Sequence, residues 1–223
     1  MAGALKVGVV APVAAGVTGD PAWVASFARH LEACGFESIV VVEHTVLVTR
    51  YDSVYPYDRS GRVGLSADCP VPDPLDLLAF LAGHTERLGL ATGVVVLPNH
   101  HPVVLAKRAA TVDALSGGRL RLCVGVGWLK EELEACGAAF DSRGRRANEQ
   151  LAVIERCGTT NRTGSAITAI SSTSTTLCAI PNQLQEHVFR CISADTAGQR
   201  RVGRGASATA FSHSASPEQS WRR

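Results

Sequence analysis

Residues 92–128 read TGVVVLPNHHPVVLAKRAATVDALSGGRLRLCVGVGW, and no other part of the chain constrains the fold as tightly. A valine-rich stretch leads into a loop. Pro102 then opens a helical pattern that Gly117 and Gly118 terminate, and a second apolar stretch runs from Leu120 to Val126. Strands joined through a helix lie parallel, and such crossovers are right-handed. Glycine inside the first of these strands, at Gly93, predicts a bulge or a close approach of something else to the backbone.

The same unit recurs upstream. Lys6 to Ala11 is a short apolar strand, and Asp20-Pro21 is an N-cap with proline at the first helical position, followed by Trp23, Phe27, Ala28 and Leu31 at helical spacing up to Cys34-Gly35. Ser38 to Val42 is the second strand, and Asp73-Pro74 repeats the cap ahead of Leu75, Leu78, Ala79 and Ala82. Leu88 to Leu97 forms the third strand. The third helix is expected to bury Val103, Ala106, Ala110 and Leu115, and Leu120 to Val126 is the fourth strand. A short helix over Leu129 to Cys136 and another from near Ser142, with Ala147, Leu151 and Ile154 as its stripe, complete the pattern. The continuous apolar strands are those of a sheet buried on both faces. The fold class is therefore α/β, a TIM-type (β/α)8 barrel of which the first four β/α units are encoded. The stretch from Thr45 to Pro72 is long for a connection, and loops of that length tend to carry function or mobility.

After Cys157 the periodicity ends. Residues 158–223 are rich in Ser, Thr, Ala and Arg and contain no lysine, a composition expected to stay largely disordered. Two regions follow: 1–157 as the barrel's N-terminal half and 158–223 as a low-complexity tail, its abrupt onset suggesting a frameshift or truncation. The formal charge of +2 conceals an asymmetry, with the tail basic and the front part not. The tail arginines are sparse and lack interleaved aromatics, so no specific nucleic-acid partner is expected. The seven cysteines form no CxxC pair and read mostly as small buried hydrophobes in a reducing compartment. No apolar run reaches the length of a membrane span and the N-terminus lacks a signal-peptide pattern, so the expectation is a cytoplasmic protein without a membrane partner.

The PxxHP pattern of Pro98 to Pro102 and the GVGW of Gly125 to Trp128, set in this βαβ frame, resemble the luciferase-like flavin monooxygenase superfamily, in particular its deazaflavin (coenzyme F420) branch. The resemblance covers about residues 4–157. It implies that His44, at the end of the second strand, positions cofactor or substrate and serves as proton donor, with Glu43 orienting it. It further implies that Thr92, Gly93, Val94 and Val95 form a bulge, often with a non-prolyl cis peptide, under the cofactor ring, and that Gly127 and Trp128 line the same pocket. Read without the family, His44 is a hydrogen-bonded loop histidine, Gly93 a glycine kink and Trp128 a core residue. Ser53 to Tyr57 looks like the family's lid, and Arg143, Arg145 and Arg146 resemble an RGRR helix start of structural purpose. Asn99 and His100 stand where relatives carry other residues. No metal is expected at His100 and His101, because neighbours in an extended loop diverge and no further ligand stands at suitable spacing.

The implied activity is an oxidoreductase that transfers a hydride between F420 and a small organic substrate. The alternative in the same class is an FMN-dependent monooxygenase. A reading of a different class is a truncated, inactive barrel fragment, whose exposed edges would promote homo-oligomers.

Overall fold

Asp20 and Asp73 start two helices in the same way. Each carboxylate accepts hydrogen bonds from two backbone N–H groups of the first turn, Ala22 and Trp23 for Asp20, Leu75 and Asp76 for Asp73, with proline at the next position. These caps set the phase of the alternating pattern in a computed structural model that describes residues 6–159. Strand β1 is Gly8–Val10, α1 Pro21–Ala33, β2 Ser38–Val41, α2 Pro74–Ala82, β3 Gly89–Thr92, β4 Val95–Val96, α3 Pro102–Leu115, β5 Leu120–Arg121, β6 Val124–Gly125, α4 Lys130–Ala135 and α5 Arg143–Thr159. The third and fourth expected strands are thus each split in two. Of the tail expected over 158–223, the first two residues end α5 and the rest, with Cys178 and Cys191, lies outside the described residues.

All pairings are parallel. One sheet runs β1-β2-β3-β5, with Val9, Ile39, Leu90 and Leu120 in register across it, and β4 pairs with β6. Alternation along the strands sends Ile39, Val41, Leu90, Leu120 and Val124 to the helix side, into one cluster with Leu31, Leu78, Leu105 and Ile154. The intervening Val40 and Ala91 are buried on the opposite face. This two-sided burial is what a parallel barrel sheet requires.

Two expectations about packing need correction. Leu115 is 71% exposed, since the buried side of α3 is formed by Leu105, Ala106, Ala109, Ala110, Val112 and Asp113 and Leu115 falls out of phase with it, on the same exposed side as Val104. Cys34 is exposed at the end of α1, whereas Cys69 and Cys123 are buried; all five described cysteines are free thiols. Among the described residues, no helix is long and apolar enough to cross a membrane.

Candidate functional site

The C-terminal ends of the strands gather two carboxylate–imidazole pairs. Glu43 and His44 follow β2 as neighbours in extended chain, so their side chains leave on opposite sides. Glu43, expected to orient His44, forms its hydrogen bonds elsewhere. It is buried to 7% exposure, its Oε1 lies 2.7 Å from His100 Nε2 and its Oε2 accepts the Val96 N–H at 2.5 Å. His44 is held from across the molecule, with Nδ1 2.9 Å from Oε2 of Glu132 on α4. The other Glu132 oxygen accepts the Thr45 N–H at 2.5 Å. A carboxylate only accepts, so Nδ1 carries the hydrogen and the Nε2 of a neutral His44 ring keeps its lone pair.

The glycines of the site serve packing first. A Cβ on Gly93 would stand 2.3 Å from Val40 Cγ1, one on Gly125 2.7 Å from Val94 Cγ2, and one on Gly127 2.8 Å from Val96 Cγ1. Each glycine therefore accepts a valine from the neighbouring strand, and Gly127 also takes a left-handed φ of 79°. The peptide between Gly93 and Val94 is cis, at the break between β3 and β4. Thr92, grouped by the resemblance with the ring contacts, spends its hydroxyl on both the carbonyl and the N–H of Cys123, at 2.6 and 2.8 Å. Val95 is fully buried on the helix side, so its side chain faces away from the strand ends. Gly93, Val94 and Trp128 stay partly accessible.

Trp128 meets the His44 ring edge-on at 6.3 Å between centroids, and Tyr51 and Tyr55 at 5.7 and 4.9 Å. The segment expected as a lid thus packs on the residue expected in the pocket. Glu131, beside Glu132 in the first turn of α4, fastens that segment: it accepts the Asp52 and Ser53 N–H groups and the Ser53 hydroxyl. Partial burial raises its pKa, but these donors outweigh it and hold the carboxyl down at about 2. In return the Ser53 Oγ accepts the Lys130 N–H, capping α4 from the loop. Arg143 donates to the carbonyls of Gly127 and Phe140, the structural part expected of the RGRR segment.

Sequence reasoning missed Glu131 and Glu132 as site residues. Their signal was the LKEE that opens a helix at the mouth of the fourth strand. His100 was noted as a departure from the family, yet it pairs with Glu43, and Gln150 Nε2 donates to its carbonyl at 2.6 Å. Asn99 Oδ1 and Gln150 Oε1 are buried without a hydrogen-bond partner. Among the described residues no group of three His, Cys, Asp or Glu side chains could hold a metal ion.

A solved monooxygenase, RslO1 from Streptomyces bottropensis, superposes with a TM-score of 0.63 at 22% identity, over 85% of this chain and 53% of that one. The FMN-bound oxygenating component of 3,6-diketocamphane monooxygenase from Pseudomonas putida gives 0.55 at 19%, over 71% and 40%. An F420-dependent secondary alcohol dehydrogenase with an F420-acetone adduct gives 0.61 at 16%, over 81% and 50%. At such identities the likeness is one of fold, that of luciferase-like barrels. An uncharacterized Mycobacterium tuberculosis protein is 32% identical over 127 residues, 57% of this chain and 44% of its own length. The 4-hydroxyprotoasukamycin monooxygenase of Streptomyces nodosus subsp. asukaensis is 41% identical over 86 residues, 39% of this chain and 23% of its own. The chain spans less than half the length of these curated relatives. The sequence pattern of luciferase-like monooxygenases matches residues 5–188, past the boundary expected at Cys157, and the chain belongs to that family.

Proposed function

We propose that this chain supplies the ring-facing wall of an oxidoreductase that moves a hydride between coenzyme F420 and a small organic alcohol or ketone, with His44 as the proton-carrying residue. The His44–Glu132 pair at the strand ends carries this reading. The described residues fit such a cofactor at its ring end. Trp128 offers a half-buried aromatic surface just after β6, Gly93 and Val94 are also partly accessible, and the orphaned oxygens of Asn99 and Gln150 suit the N–H donors of a flavin or deazaflavin ring. F420 supplies a two-electron hydride acceptor or donor when bound.

The protein's own contribution is positional and electrostatic. His44 Nε2 takes the hydroxyl proton of an alcohol undergoing oxidation, or returns one to a carbonyl undergoing reduction. Glu132 fixes the ring and stabilises the imidazolium that results. Tyr51 and Tyr55, packed on Trp128, limit the access of water to it.

A second reading, oxygen activation on FMN, is favoured by the monooxygenase among the curated relatives and by the FMN-bound structural neighbour. The two separate in a cuvette. The purified chain with F420 and propan-2-ol is expected to bleach the oxidised deazaflavin absorbance, an activity lost in His44→Ala. Turnover with FMN, NADH and oxygen in its place would overturn the hydride-transfer reading.

A further inference from the structure

The first turn of α4 holds the long loop at two separate points. Glu132 Oε1 accepts the Thr45 and Val46 N–H groups at 2.5 and 3.4 Å, while its Oε2 meets His44. Its neighbour Glu131 accepts the Asp52 and Ser53 N–H groups at 2.7 and 3.3 Å and the Ser53 hydroxyl at 2.7 Å. The stretch between these two feet, Leu47 to Asp52, forms one wall of the cleft beside His44. We infer that Glu131 is a positioning residue: by pinning Ser53 it sets the His44 ring and the Trp128 face together, so that releasing the loop releases both. The inference rests on the proposed function only in taking His44 as the proton-carrying residue.

Two routes lead from the latch to the site. The first runs through α4 itself. Ser53 Oγ accepts the Lys130 N–H at 3.0 Å, one of the first-turn donors that no carbonyl of the helix can reach. Because α4 has six residues, Lys130–Ala135, loss of that contact frays the turn from which Glu132 reaches His44. The second route runs through aromatic packing. Tyr51, beside Asp52, is fixed to the returning limb of the loop: its carbonyl accepts from Arg62 at 2.7 Å, its hydroxyl accepts the Val63 N–H at 3.1 Å, and the Arg62 guanidinium lies 4.6 Å from its ring centroid. The Tyr51 ring also meets Trp128 at 5.7 Å, and Trp128 meets His44 edge-on at 6.3 Å. Tyr51 therefore moves with the latched segment, and Trp128 receives that movement.

The test reads the two rings separately in the cofactor-free chain. With Trp23→Phe and Trp221→Phe as background, Trp128 is the one indole left. Acrylamide quenching of its fluorescence is expected to rise about twofold in Ser53→Ala and in Glu131→Gln, and to stay at the parent value in Ser53→Thr, which keeps the hydroxyl. Long-range imidazole ¹⁵N spectra in mildly alkaline buffer are expected to show His44 protonated on Nδ1 in the parent chain and exchanging between tautomers in the same two variants. Ser53→Ala, which removes only a hydroxyl, carries the test should Glu131→Gln fail to fold. Unchanged quenching, or an unchanged His44 ring, in folded Ser53→Ala overturns the inference and leaves Glu131 a clamp on the loop alone. The expected changes in a chain whose wild type does not turn over F420 would instead sink the proposed function and leave the latch assigned.

Discussion

The two ends of the parallel strands are both rich in buried polar contacts, but they use different chemistry. At the N-terminal end, Arg119 donates to the carbonyls of Ala82, Thr85, Leu88 and Ser116 and to the Thr85 hydroxyl, Arg121 grips Glu37, and Glu32 accepts the N–H groups of Glu86, Arg87 and Leu88. Guanidinium groups stay charged across the accessible pH range, so this end is stitched permanently. At the C-terminal end the partners are imidazoles, His44 on Glu132 and His100 on Glu43, side chains whose ring nitrogens can both donate and accept. Guanidinium contacts build the fold below, and imidazole–carboxylate pairs stand where the loops converge above. That division is the one a parallel barrel makes between stability and catalysis.

The sharpest way to break the comparison is at His44 and Glu132. His44→Ala is expected to lower turnover by roughly 10²- to 10⁴-fold, the contribution of a placed acid–base group, with Tm little changed. Glu132→Gln, which keeps the shape and removes the charge, is expected to shift the pH–rate profile as well as its height. Turnover unchanged in both would remove the chemical role of the upper end.

Next in size is Arg119→Met. Several carbonyls would lose a charged donor at once, for an expected loss of about 3 kcal/mol in denaturant unfolding with cofactor affinity preserved. A loss of cofactor binding at unchanged stability would erase the distinction between the ends. Gly127→Ala follows, at roughly 2 kcal/mol, because the new methyl meets Val96 and Leu133 and the left-handed backbone disfavours any side chain. A neutral result would show that the valine-on-glycine packing yields easily.

The smallest effect concerns Glu131. Its folded pKa of about 2 lies below the ordinary 4.5, so its contribution to stability is full above about 4.5 and fades as the pH falls toward 2. The Tm difference between wild type and Glu131→Gln is expected to narrow over that interval. A difference independent of pH would mean the clamp on Asp52 and Ser53 works by shape alone.

The sequence disclosed the local parts of this architecture better than the long-range ones. The caps at Asp20 and Asp73 were readable because an N-cap bonds within its own first turn. So was the interruption at Gly93, since a glycine in a valine run has few other uses. The partner of His44 was not readable: it lies 88 residues away, and only the closing of βα units brings the start of α4 to the end of β2. Adjacency even misled, because Glu43 and His44 are neighbours in sequence and diverge in an extended chain. Leu115 failed on phase, since it does not follow Ala110 at a helical repeat and lands on the exposed side of α3 while Asp113 and Ser116 are buried.

The central claim is that the described strand ends present a surface for a flavin-type ring, with Trp128 against it. Titrating F420 into the purified chain while following deazaflavin fluorescence tests it most directly. A saturable change that weakens in Trp128→Leu and persists in Arg119→Lys is expected. An absence of saturable binding by F420 and FMN alike in the folded chain, or binding indifferent to Trp128, would contradict it.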